Sequence, residues 1–380
     1  MNHSEKIRVA VLYGGRSTEH EVSLQSAKNV IQYLDRSRFE VIPIGIDKQG
    51  NWFIGNEVFR KSLADNTVPL LSDEMETWFT PSWVFNTNEP RQALSKMITE
   101  HRKGPLFDVV FPLIHGISGE DGSLQGLLEL AEIPYVGCGL LSSAIGMDKD
   151  IAKRLASSAN IPVAPYLVLK NREWQKNKKK FLEKIAQELP LPLFIKPANT
   201  GSSVGITKVK KSEYLTKAID EAFNFDTKVL VEQGLDMIEL EVAVLESLND
   251  QDPIVSVVGE IRSRHEFYSY EAKYIDSEGA QLLIPAKLSQ GLCQEAQEVA
   301  KKLFIQLECE GMARIDLFYD KIGKQIVFNE VNTIPGFTQI SMYPKLMAAS
   351  GIAYTDLLTH LIELALKRQQ NKNKLIRNYT

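Results

Sequence analysis

The apolar residues of this chain come in short runs, and their spacing switches repeatedly between strand alternation and helical period. Ile7 to Tyr13 is an apolar run ending at Gly14-Gly15, and beyond it Val22, Leu24, Ala27, Val30, Ile31 and Leu34 recur at helical spacing. Strand, glycine turn and helix follow in that order. Phe39 to Ile46 and Asp108 to Ile114 are further strand-like runs, so the pattern predicts a parallel, doubly wound βα sheet with its ligand edge at the strand C-termini. Gly14-Gly15 and His115-Gly116 would both stand on that edge. Residues 50–106, with Trp52, Trp78, Trp83 and several prolines, keep no period and read as an insertion.

Ser142 to Asn160 reads as one helix, Pro162 and Pro165 punctuate it, and Tyr166 to Leu169 opens a new strand. A lysine-rich helix, the strand Leu193 to Lys196, the loop Pro197 to Gly205, another helix and the strand Lys228 to Glu232 come next. The last portion alternates through Glu239 to Val244 and has a long helix after Leu288. Strands at Met312 to Tyr319 and Gln325 to Val331 precede a helix from Tyr354 to about Arg368 and a polar tail. The expected fold is therefore α/β, in part α+β.

At 380 residues the chain is too long for one core, given roughly 100–200 residues per domain. A 44% hydrophobic and 24% charged composition excludes disorder, and a net charge of −4 gives no overall pull toward nucleic acid or anionic lipid. No apolar run spans a bilayer and the first residues lack a signal-peptide stretch, so the expected location is the cytoplasm, without membrane or nucleic-acid partners. Cys138, Cys293 and Cys309 form neither a disulfide framework nor a zinc spacing.

Candidate chemistry concentrates in four places. Arg314 and Asp316 share one strand face, Glu330 and Asn332 share another, and the short link between them predicts an antiparallel hairpin that brings both pairs together. Two carboxylates and an amide oxygen suit a hard cation such as Mg²⁺; a sheet face of solvated salt bridges would carry the same residues. Lys196 precedes a loop of small residues through Ser202, Ser203 and Gly205, which is either a phosphate cradle or a plain hairpin turn. His115 to Gly122 opens a helix whose N-terminus is either an anion site or simply capped. Asn332 to Thr338 holds a Pro-Gly turn directly after two of the candidate ligands. Neither a Walker sequence nor the dinucleotide glycine fingerprint is present.

Together with Gly14 to Ser23 and Tyr270 to Tyr274, these segments resemble the D-alanine–D-alanine ligases of the ATP-grasp superfamily over nearly the whole chain. The resemblance implies an ATP-grasp fold: an N-terminal portion 1–137 with the insertion 50–106, a central portion 138–232, a C-terminal portion 233–368 with a lid loop 262–279, and a tail 369–380. It implies ATP-driven formation of an acyl phosphate from one D-alanine, then attack by the amine of a second. Lys149, Lys196 and Ser203 would meet the nucleotide phosphates, Glu232, Gln233 and Leu235 the adenine, Glu239 the ribose, and Lys273 the γ-phosphate.

Two Mg²⁺ (or Mn²⁺) ions would lie on Asp316, Glu330 and Asn332. Glu19, Ser202 and Tyr274 would form a hydrogen-bonded triad around the first D-alanine, with His115 nearby, while Ser341 and the Met342 amide hold the second. Arg314 and the Gly336 amide would stabilise the oxyanion. Gln233 departs from the lysine common at that position, which bears on nucleotide affinity alone, and Tyr274 favours D-alanine over D-lactate as acceptor. D-lactate or D-serine ligases and a silent nucleotide-binding homologue are the competing readings, and a homodimer is the expected assembly.

Overall fold

The structure, a computed structural model, describes residues 6–54, 77–79, 107–249, 251–263 and 280–376. It is built on three sheets packed against helices.

The first sheet contains β1 (Ile7–Gly14), β2 (Phe39–Ile46), β3 (Trp52–Ile54), β4 (Thr77–Phe79) and β5 (Val109–Pro112), in the order β4-β3-β2-β1-β5. β1 runs parallel to both β2 and β5, as the glycine-turn pattern predicts, with α1 (His20–Tyr33) following β1. Side-chain alternation sends Val9, Val11 and Tyr13 to the α1 face, where Leu24, Ala27 and Val30 meet them. Ala10 and Leu12 point the other way, onto Leu124 and Leu128 of α2 (Ser123–Leu130). Within the expected insertion at 50–106, β3 and β4 add antiparallel strands to this sheet. The rest of that stretch lies outside the described residues.

The helix expected over 142–160 is two, α3 (Leu140–Met147) and α4 (Lys149–Ser158). Asp148 separates them in an extended conformation, and its carboxylate accepts the Asp150 and Ile151 amides, capping α4. The apolar period runs through the break, so spacing alone hid it.

The second sheet is antiparallel, in the order β6-β9-β7-β8: β6 (Tyr166–Lys170), β7 (Leu193–Pro197), β8 (Thr207–Val209) and β9 (Lys228–Gln233). α5 (Asn171–Glu188) and α6 (Leu215–Ala222) cover the face formed by Leu169, Ile195, Val229 and Val231. Trp174 of α5 is fully buried there and donates its indole N–H to Asp220 at 2.7 Å. Trp174→Ala is expected to cost about 3–5 kcal/mol, the range for a large core side chain; a denaturant midpoint equal to wild type would exclude that weight.

The third sheet contains β10 (Met237–Leu245), β11 (Ile254–Val255), β12 (Gly259–Ser263), β13 (Ala280–Leu283), β14 (Met312–Asp320) and β15 (Gln325–Asn332). Its path is β13-β12-β10-β14-β15, with β11 paired to β10. α7 (Gln290–Gln306) packs on Leu240, Val242, Ala313, Ile315 and Leu317, and Ala152 and Ala156 of α4 join that core. α3 and α4 thus pack on the third sheet rather than on the helix-covered face of the second. On the opposite face, Ala243, Leu245 and Met312 meet α8 (Met342–Ala349), α9 (Tyr354–Asn373) and the first sheet's α1 in one continuous core. α9 continues to Asn373, so the first residues of the expected 369–380 tail are helical. Among the described residues no helix is long and apolar enough to cross a membrane.

Candidate active site

The second and third sheets turn polar faces toward a common cleft enclosing about 840 Å³ of space open to solvent. On the second sheet, β7 and β9 pair Phe194 with Glu232 and Lys196 with Leu230, so the alternation that buries Ile195 and Val231 puts Phe194, Lys196 and Glu232 on the free face. Lys196 Nζ lies 2.5 Å from Glu232 Oε1 and 3.4 Å from Asn329 Oδ1. Lys149, the first residue of α4, donates from Nζ to Thr200 O at 2.6 Å and stands 3.8 Å from Glu330 Oε2. It links the glycine-serine loop to the third sheet.

On the third sheet the hairpin has the expected register: Arg314 opposes Asn332 and Asp316 opposes Glu330. Glu239 and Glu241 of β10 share that face, with Glu241 directly across from Asp316. The Arg314 guanidinium grips both Asp316 oxygens at 2.7 and 2.8 Å, and its Nε is 3.0 Å from Glu241 Oε2. Asn332 donates to Asp316 Oδ2 at 2.9 Å. After Asp316 the ladder slips by one residue, because Leu317 pairs with Phe328, and the extra residue Asn329 joins the cleft lining. Lys149, Lys196, Ser203, Glu232, Gln233, Leu235, Glu239, Asp316 and Glu330 all line this space. Leu240, Ile261, Leu317 and Phe318 supply apolar wall.

Glu19 lies just ahead of α1, buried, and its Oε1 accepts the Ser202 hydroxyl from the β7–β8 loop. Ser202 and Ser203 both hold left-handed backbone, at φ 47° and 59°, a conformation that costs side-chain-bearing residues energy. Glycines make the approach to Glu19 possible. A Cβ on Gly116 (φ 74°) would fall 2.5 Å from Glu19 Oε2, and one on Gly201 would fall 2.9 Å from the same oxygen.

His115 is buried, and both ring nitrogens are engaged. Nδ1 donates to Ile334 O at 2.9 Å, Nε2 accepts from Ser26 Oγ at 3.0 Å, and Ser26 Oγ accepts the Phe337 amide at 3.2 Å. The ring thus closes a circuit around the 334–337 turn that presents Gly336. Burial lowers the His115 pKa below 6.5 although the Glu19 carboxylate opposes it. An imidazole kept neutral when folded binds fewer protons than the unfolded chain, so stability is lost as pH falls below 6.5. Thermal melts between pH 7 and 5 should show that loss, and His115→Gln should flatten it.

Ser341 stands at the N-cap position of α8 without a side-chain bond to the helix, its Oγ turned instead to Thr338 Oγ1 at 2.7 Å and the Thr338 amide at 3.2 Å. Met342 is the first residue of that helix, so its N–H is among those that no helical carbonyl accepts.

Asp316, Glu330 and the Asn332 amide fit a hard divalent cation. They are all-oxygen donors on one sheet face, Glu241 adds a third carboxylate, and Arg314 and Lys149 compensate the charge only in part. Lys273 and Tyr274, with most of the expected lid 262–279, lie outside the described residues.

Four residues escaped the sequence reading. Glu241 was signalled by its place two along from Glu239, and Lys153 by its place four after Lys149 on one helix face. Asn329 needed the bulge. Glu120 needed the tertiary fold: its two oxygens accept the Gly116 and Ile334 amides at 2.9 and 3.1 Å, tying the loop beside Glu19 to the Gly336 turn. Burial and the neighbouring Glu19 carboxylate push the Glu120 pKa up to about 8.

A cleft between two sheets, lined by lysines, carboxylates and an amide with an arginine gripping one of the carboxylates, together with the likeness to solved ligases, defines a ligase of the ATP-grasp class. The family described as D-ala D-ala ligase matches with its C-terminal part over residues 155–363 and with its N-terminal part over residues 8–138. The chain belongs to the D-alanine–D-alanine ligase family. It is 48% identical over 379 residues to D-alanine–D-alanine ligase A of Bradyrhizobium diazoefficiens, covering 99% of both chains. Among solved structures it is similar to the VanG D-Ala:D-Ser ligase of Enterococcus faecalis, with TM-score 0.78 and 38% identity over 95% of this chain and all of that one. The D-alanine–D-alanine ligase of Coxiella burnetii is also similar, with TM-score 0.75 and 33% identity over 98% of each chain.

Proposed function

We propose that this protein joins two D-alanines, with ATP, into D-alanyl-D-alanine for peptidoglycan precursor synthesis. The observation that carries this reading is the convergence of Asp316 and Glu330 with Lys149 and Lys196 in one cleft, Asp316 being held there by Arg314 and Asn332. Lys149, Lys196 and Ser203 bind the nucleotide phosphates, Glu232, Gln233 and Leu235 the adenine, and Glu239 the ribose hydroxyls. Asp316, Glu330 and Asn332 would hold two Mg²⁺ (or Mn²⁺), which neutralise charge on the phosphates.

Glu19, held by Ser202, orients the ammonium of the first D-alanine, with His115 close by. That D-alanine's carboxylate oxygen takes the γ-phosphoryl group, leaving ADP and an acyl phosphate. Ser341 and the Met342 amide hold the carboxylate of the second D-alanine, whose amine attacks the acyl carbon. Arg314 and the Gly336 amide meet the negative charge of the tetrahedral centre, which collapses with loss of phosphate. By the family resemblance, Lys273 would meet the γ-phosphate and Tyr274 would join Glu19 and Ser202; Lys273 and Tyr274 both lie outside the described residues. We assign three units, 1–137, 138–232 and 233–368, a homodimer and a cytoplasmic location.

Product analysis after incubation with ATP, Mg²⁺ and D-alanine tests the reading: ADP, phosphate and the dipeptide in equal amounts are expected, and ADP without dipeptide would refute it. The likeness to a protein named D-Ala:D-Ser ligase makes D-serine the acceptor to compare, alongside D-lactate. Higher kcat/KM with either than with D-alanine would overturn the acceptor assignment.

A further inference from the structure

Lys153 is 1% exposed, and no step of the proposed reaction uses it. It follows Lys149 by one helical turn, yet Lys149 lines the cleft and Lys153 does not. Its Nζ is 2.9 Å from Glu232 Oε2 and 3.4 Å from Phe328 O. Glu232 is itself 2% exposed, and its other oxygen lies 2.5 Å from Lys196 Nζ. One buried carboxylate therefore sits between two ammonium groups: Lys196 on the cleft side and Lys153 behind it. Lys196 has other places to go. It already reaches Asn329 and lies over the Phe194 ring, and it is the member of the pair that can turn toward a phosphate.

A buried carboxylate that loses its last counter-ion is strongly destabilised, because neither water nor another charge compensates it. We propose that Lys153 is a positioning residue, a fixed counter-charge on Glu232 that lets Lys196 leave for a nucleotide phosphate without stranding a buried carboxylate. The inference rests on reading the cleft as the nucleotide site. Burial alone would push the Glu232 carboxyl up; Lys153 and Lys196 outweigh it and bring it down to about 2, so the group faces the cleft as an ionised acceptor. Burial likewise pulls Lys153 down, and Glu232 opposes it. Without Lys153, the Lys196 ammonium is held on Glu232, whose carboxylate then competes with the incoming phosphate for it.

The test is equilibrium binding of Mg²⁺ and β,γ-imido-ATP to the full chain, comparing Lys153→Met in the wild-type and Glu232→Gln backgrounds. Lys153→Met is expected to weaken binding about tenfold or more, Lys153→Arg to stay within about threefold of wild type, and KM for D-alanine to change less than about twofold. In the Glu232→Gln background the same Lys153→Met change should alter the dissociation constant less than about twofold, since no carboxylate is left to neutralise. Wild-type affinity in Lys153→Met, or an equal loss in both backgrounds, overturns the proposal. If melting shows that Lys153→Met alone does not fold, the Glu232→Gln pair decides by itself. Failure of the wild type to bind the analogue would refute the nucleotide reading, and this inference with it, and is told apart because it appears before any substitution.

Discussion

Arg314→Ala is expected to lower turnover by about 10²–10³ while leaving nucleotide affinity within a few-fold, the usual consequence of losing a preorganised oxyanion donor. Arg314 is tied to Asp316 by two hydrogen bonds and to Glu241 by an ion pair, so its guanidinium is held in place before substrate arrives. The same ties mean that the substitution also leaves two neighbouring carboxylates less compensated. A Mg²⁺ titration separates the two effects: the expected loss persists at saturating Mg²⁺, whereas a loss that Mg²⁺ restores would assign Arg314 to charge balance alone. Unchanged turnover would remove it from the chemistry.

Glu330→Gln should raise the Mg²⁺ concentration for half-maximal activity about tenfold or more, the scale of losing one proposed carboxylate ligand. Its direct contact with Lys149 is long, at 3.8 Å, and its side chain is 26% exposed. The salt bridge it forms is therefore worth little, on the order of 1 kcal/mol or less. A melting temperature near wild type with a shifted metal response is the expected pair of results. A wild-type metal response with a large drop in melting temperature would mark Glu330 as a structural ion-pair partner.

Where a local period decided the outcome, the sequence was legible. The alternation through Arg314-Asp316 and Glu330-Asn332 gave the hairpin register that the structure has, and the apolar run before Gly14-Gly15 gave the parallel pair β1 and β2. The small-residue loop after Lys196 is the β7–β8 hairpin turn that its composition allowed, and it also brings Ser202 to Glu19. What stayed hidden depends on groups far apart in the chain or on a single side chain overruling a period. Asp148 breaks a pattern that otherwise reads as one helix. Asn329 enters the cleft only because the ladder slips. Lys153 shares a helix face with Lys149, but its role is hidden until Glu232, 79 positions on, is placed against it. Glu120 gives no sign of its role until Ile334 is brought within 3.1 Å.

The continuous core that joins the first sheet to the last helices bears on how the chain is made. Val9, Val11 and the inner face of α1 share one core with Leu357, Leu358, Leu361 and Ile362, more than 300 positions later. At about 5–20 residues per second on the ribosome, the first sheet waits tens of seconds for those residues. Until then part of that core has no cover, and the N-terminal sheet and α9 complete their folding together.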